Sequence, residues 1–196
     1  MTWLLGLTGS IGMGKSTTAQ MFRDEGIPVW DADAAVHRLY ERGGAAVGPV
    51  GDAFPEAVAE GAISREALKK IIAADPSALG RLEKIVHPLV AQDRAAFIAA
   101  NPAPIVVVDI PLLYETGADQ WLDSVLVVTA SPETQRARVL ARPGMTGAQF
   151  QAILSRQVPD AEKRRRADHL IETTTLDEAR AKVRALVKDL KDKADA

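Results

Sequence analysis

Apolar residues gather in short unbroken runs: Trp3-Leu4-Leu5-Gly6-Leu7, Pro28-Val29-Trp30, Ile105–Val108 and Val125–Val128, with a shorter fifth at His169-Leu170-Ile171. Runs rich in β-branched residues that do not alternate with polar ones predict strands buried on both faces of a parallel sheet. Helical patterns lie between them. Residues 15–24 read as a helix, and Ala34, Ala35, Leu39 and Tyr40 give a weaker one that ends at Gly43-Gly44. Ser131-Pro132-Glu133 has the order of a helix start, while Thr146 with Gln149 and Thr175 with Glu178 have capping-box spacing. Strands alternating with helices predict an α/β fold with right-handed crossovers.

Residues 45–103 break the alternation. About 60 residues are more than one crossover needs. Leu68, Ile71 and Ile72, then Leu82, Ile85, Val86, Leu89 and Val90, recur at helical spacing, which predicts a helical insertion in which His87-Pro88 ends or bends a helix. Residues 138–166, rich in Arg and interrupted by Pro143-Gly144 and Pro159, read as helices joined by mobile turns. The charged tail after Leu190 is expected to fray.

Composition narrows the classes. The chain has 196 residues, 47% hydrophobic and 26% charged, which suits one globular core with a small insertion. Lys+Arg 24 against Asp+Glu 26 gives a net charge of −2, so no bulk positive field holds nucleic acid or a membrane surface. With Cys 0 there is no disulfide, thiol nucleophile or thiolate metal site. No apolar run reaches the ~18 residues of a membrane span. The first basic residue is Lys15, so the charged start of a secretory signal is missing, and a cytoplasmic location is expected.

Gly9-Ser10-Ile11-Gly12-Met13-Gly14-Lys15-Ser16 satisfies G-x-x-x-x-G-K-[ST] between a predicted strand and a predicted helix. Such a loop wraps a polyphosphate with backbone N–H groups at a helix N-terminus. Lys15 then reaches the β and γ phosphates and Ser16 ligates Mg²⁺. Asp31 and Asp33 follow the second strand, at the sheet edge where ligands of open α/β folds gather. Asp33 is the expected acceptor of an alcohol proton. Asp31 fits either support of Mg²⁺ or a helix cap. Asp109, ending the Ile105–Val108 run, has the position of an acid that holds Mg²⁺ through water. Arg138 and Arg142, four apart, are expected on one helix face as a pair that neutralises developing charge. The Lys163-Arg164-Arg165-Arg166 run reads as a solvated helix face. An N/T-K-x-D segment is missing, which disfavours a guanine-specific GTPase. The remaining classes are a small-metabolite or nucleoside monophosphate kinase, an ATP-sensing module without a catalytic base, and a nucleic-acid binder using Arg164–Arg166.

The ordered series resembles the dephospho-coenzyme A kinase family over nearly the whole chain. It comprises Leu7-Thr8-Gly9 running into the loop, Asp31-Ala32-Asp33 with His37, Gly61-Ala62-Ile63 with Arg65 and Leu68, and Leu82 to His87-Pro88. It continues with Asp109, Pro111-Leu112-Leu113 and Glu115, Ser131 to Gln135, Arg138 with Arg142, Gln157, and Ala167-Asp168 before Ile171. The resemblance implies a P-loop nucleotide-kinase fold with a parallel five-stranded sheet. Residues 1–44 and 104–196 would form the nucleotide-binding core, with an Arg-bearing lid at about 138–166. Residues 45–103 would form an acceptor-binding helical domain. The implied reaction moves the γ-phosphate of ATP, with Mg²⁺, to the ribose 3′-hydroxyl of dephospho-CoA. Gly9, Gly12, Met13, Gly14, Lys15, Ser16 and Thr17 would hold ATP, while Asp33, Arg65, His87, Pro111, Leu112 and Glu115 would meet the acceptor. Pro143 follows Arg142 where Asp is usual, and Thr173 stands where the family commonly has Asn.

Overall fold

A computed structural model describes residues 2–194. The chain divides into two compact units, one of residues 1–30 and 101–196 and the other Asp31–Ala100.

The first unit is built on a parallel sheet. The strand β1 (Trp3–Thr8) leads into the glycine loop and helix α1 (Lys15–Asp24), and Val29 and Trp30 belong to β2 (Val29–Asp31). The helical stretch that follows, α2 (Ala32–Tyr40), opens the second unit. Three later strands, β5 (Ile105–Asp109), β6 (Ser124–Thr129) and β7 (His169–Glu172), complete the order β2-β5-β1-β6-β7. Leu7 lies opposite Asp109 on one side of β1, and Thr8 lies opposite Val127 on the other. The acid that ends β5 is therefore beside the strand that feeds the glycine loop. Every residue of β5 and β6 is buried, which is why these strands read as continuous apolar runs. The unit's helices are α6 (Pro132–Leu140), α7 (Gly147–Leu154), α8 (Asp160–Arg166) and α9 (Leu176–Ala194). Ser131 caps α6, and Thr146 with Gln149 forms the expected capping box of α7. Ala179, Val183, Val187 and Leu190 carry α9 onto the core. The expected fraying after Leu190 is not seen through Ala194, where a Lys193–Asp189 pair one turn apart spans the last turn. Asp195 and Ala196 lie outside the described residues.

The second unit contains α2, α3 (Val47–Ala53), α4 (Arg65–Ala74) and α5 (Ser77–Ala100) around Leu39, Val50, Phe54, Leu68, Leu82 and Val86. It begins at Asp31 rather than at residue 45 because α2 packs on α5, with Arg38 paired to Asp93 at 2.7 Å. It is not wholly helical. A hairpin of β3 (Val58–Ala59) and β4 (Ala62–Ile63) turns through Glu60 and Gly61, both at positive φ. Two residues with φ above zero make the turn whose twist matches antiparallel strands. Pro88 does not end its helix: α5, 24 residues in all, continues through it to Ala100, and burial of Ala78, Leu82 and Val86 fastens the turns before it.

Candidate active site

The glycine loop is held from four directions within the first unit. Met13 is buried in the core, and its sulfur accepts a hydrogen bond from the Ala130 N–H at 3.1 Å. The Thr173 hydroxyl, just past β7, donates to the Met13 carbonyl at 2.8 Å. Arg138 on α6 donates to the Thr173 carbonyl at 2.6 Å and to its hydroxyl at 2.9 Å. Gln135 donates to the Ile11 carbonyl at 2.8 Å, and the Ile11 N–H donates to Gln157 at 3.2 Å. Gly12 must be glycine on two counts. Its φ is +76°, and a Cβ there would stand 2.5 Å from Val139 Cγ2 and 3.1 Å from the Gln135 carbonyl.

Lys15 opens α1, and its ammonium lies 2.5 Å from Asp109 Oδ1. The Asp109 side chain is only 2% exposed, so solvent and salt screen this pair far less than a surface pair. Ser16 and Thr17 are exposed in the first turn of α1. The Ser16 hydroxyl and Asp109 carboxylate are hard oxygen donors, a set that suits Mg²⁺ held largely by substrate phosphates and water. Among the described residues no group of three or more His, Cys, Asp or Glu is arranged to hold a metal.

Beyond Asp109 the turn at 111–117 diverges in character. Leu112 is exposed, the Pro111 carbonyl accepts from the Thr8 hydroxyl at 3.2 Å, and Leu113 and Tyr114 are buried. Burial pushes the Tyr114 phenol up to about 12 against the opposing pull of Arg166, whose guanidinium stands 4.2 Å from the ring centroid. Glu115 is turned inward: its Oε1 accepts from the Val158 N–H at 2.8 Å and pairs with Lys163 at 3.0 Å. The expected solvated face at 163–166 is thus corrected at Lys163, while Arg164, Arg165 and Arg166 are exposed. Lys163 is fully buried, and Arg166 both stacks on Tyr114 and pairs with Asp119. Arg138 and Arg142 also differ, because α6 ends at Leu140. Arg138 is half-buried against the loop, while Arg142 is exposed beyond the helix.

In the second unit Asp31 caps α2 by accepting from the Ala34 N–H at 2.9 Å, the cap reading of this residue. Asp33 is exposed in the first turn of α2. Arg65 lies over the Tyr40 ring at 5.6 Å, and burial raises the Tyr40 phenol against the pull of that guanidinium. His87 is exposed on α5. Gln135, Gln157 and Thr173 carry the loop's fastenings, yet spacing alone marks none of them as partners of residues 11–13. Their places in the resemblance to a known family were the only signal.

A parallel sheet, a glycine loop opening α1, and a lysine paired with the acid at the end of the neighbouring strand define a P-loop phosphotransferase that uses ATP. The chain belongs to the dephospho-CoA kinase family, whose model matches residues 3–178. The dephospho-CoA kinase of Cereibacter sphaeroides is 63% identical over 192 residues, 98% of each chain. That of Ruegeria pomeroyi is 60% identical, covering 97% of each. The crystal structure of TT1252 from Thermus thermophilus superposes with a TM-score of 0.86 at 36% identity, over 96% of this chain and 98% of that one.

Proposed function

We propose that the protein transfers the γ-phosphate of ATP to the ribose 3′-hydroxyl of dephospho-CoA, giving CoA and ADP. The observation that carries the phosphoryl-transfer half is the Lys15–Asp109 pair beside a glycine loop braced by Gln135, Thr173 and Gln157. The acceptor rests on family membership.

In this reading the loop from Gly9 through Thr17 grips the triphosphate, with Lys15 at the β and γ phosphates. Ser16 and, through water, Asp109 would hold Mg²⁺, which when bound would neutralise charge on the phosphates. Asp33 accepts the proton of the attacking hydroxyl. Arg65, His87, Pro111 and Leu112 meet the acceptor. Arg142, exposed past the end of α6, supplies mobile positive charge from the 138–166 lid, while Arg138 contributes charge from a fixed position. Residues 31–100 serve as the CoA unit. The cysteine-free composition and balanced charge accord with a cytoplasmic enzyme without nucleic-acid or membrane partners.

A coupled ADP-release assay decides the reading. Turnover is expected with dephospho-CoA and not with nucleoside monophosphates, and the opposite preference contradicts it. Asp33→Asn should bind ATP normally while kcat falls by about 10²–10⁴.

A further inference from the structure

The backbone of Ile11 is held by two glutamines, one on α6 just before the 138–166 segment and one within that segment. Gln135 on α6 donates to its carbonyl at 2.8 Å, and Gln157, in the turn between α7 and α8, accepts from its N–H at 3.2 Å. Fixing this backbone sets the direction in which the chain enters the glycine turn. The amides that follow are then ordered before nucleotide arrives, so less ordering accompanies binding.

What stations Gln157 is a buried charge pair. The next residue, Val158, gives its N–H to Glu115 Oε1 at 2.8 Å, and the same oxygen lies 3.0 Å from Lys163 Nζ. Lys163 is fully buried and the Glu115 side chain is 14% exposed. A third tie fastens α8, as the Thr129 hydroxyl at the end of β6 donates to Asp160 at 2.7 Å. An ion pair this deep gives back little of its desolvation cost in stability, so its value lies in the geometry that it fixes. Here that geometry is the turn carrying Gln157.

We propose that Gln157 is a positioning residue of the phosphate loop, stationed over Ile11 by the buried Glu115–Lys163 pair. The inference rests on the reading that this loop holds ATP. It assigns Glu115 to positioning rather than to contact with the acceptor.

The test measures kcat, both KM values and ATP affinity by calorimetry. Gln157 is half-buried, so Gln157→Leu should fold with an unchanged Tm. It is expected to raise KM and Kd for ATP about five- to tenfold, with kcat and the acceptor KM within about twofold. An unchanged ATP KM overturns the proposal. Removing both partners together, Glu115→Leu with Lys163→Met, takes away the acceptor of the Val158 N–H without stranding a charge. That pair should reproduce the rise in ATP KM and add nothing in the Gln157→Leu background. Additive effects would sever Gln157 from the pair. A rise in acceptor KM in the charge-removed variant would return Glu115 to the acceptor site. Wild type that binds ATP yet leaves dephospho-CoA unphosphorylated sinks the functional reading alone; wild type that binds no ATP overturns both.

Discussion

The glycine loop and the helical unit are held together by different means. Around residues 9–16 the chain is fixed by groups from distant sequence, including Ala130, Gln135, Arg138, Gln157 and Thr173, over a sheet in which β5 and β6 are wholly buried. In residues 31–100 the helices meet through a modest apolar cluster, and the polar contacts are largely exposed pairs such as Arg81–Asp75 and Lys70–Glu66. Exposed pairs contribute little, so apolar packing carries that unit. This contrast suits the proposed roles, since a loop that is to present amides to a triphosphate needs each peptide fixed, whereas a unit proposed to meet an organic acceptor through surface side chains needs only a stable frame.

The contrast breaks most sharply at Lys15. Lys15→Met should lower kcat/KM by about 10³, because the charge nearest the transferring phosphoryl group is lost. Steady-state kinetics read this directly, and a loss below tenfold would detach Lys15 from the reaction. In the other unit, Leu82→Ala is expected to cost about 2–5 kcal/mol through a cavity between packed helices. ATP affinity should persist in that variant at temperatures where it stays folded, as calorimetry beside urea unfolding would register. If affinity fell with stability, the two regions would not differ as described. Gly12→Ala forces a Cβ toward Val139 and a left-handed φ, costing about 1–3 kcal/mol and weakening ATP binding together. Joint loss sharpens the comparison, because only in the loop do strain and ligand share one peptide.

The smallest effect concerns pH. Burial, then the nearby Lys193 charge, holds the His169 imidazole below its ordinary 6.5, outweighing Asp168 and Asp189. The unfolded chain therefore takes up this proton more readily than the folded one. The contribution to stability is full above pH 6.5 and declines as pH falls toward the lower folded value. Urea midpoints at about pH 7.5 and about pH 5.5 should differ less in His169→Gln than in wild type. An equal difference removes His169 as a source.

Sequence made the sheet and the loop legible because their signals are contiguous: unbroken apolar runs for β1, β5 and β6, and a fixed spacing from Gly9 to Ser16. The β3–β4 hairpin escaped because two-residue strands are too short to show alternation, and Glu60 is an uncommon residue at positive φ. Lys163 read as one cation in a run of four, since nothing local distinguishes the one that meets Glu115 from the three that are exposed. At Asp31 the local rule left two readings open, a helix cap or support of Mg²⁺, and the fold shows the cap. The bracing of Ile11 by Gln135 and Gln157 depends on folding across more than a hundred residues, which spacing cannot convey.

The most direct measurement is a crystal structure of the enzyme with a non-hydrolysable ATP analogue and dephospho-CoA. An Asp33 carboxylate oxygen within about 2.6–3.2 Å of the ribose 3′-hydroxyl, with the triphosphate cradled by residues 9–16, is the predicted result. A carboxylate turned from that hydroxyl, or a triphosphate lying elsewhere, would contradict it.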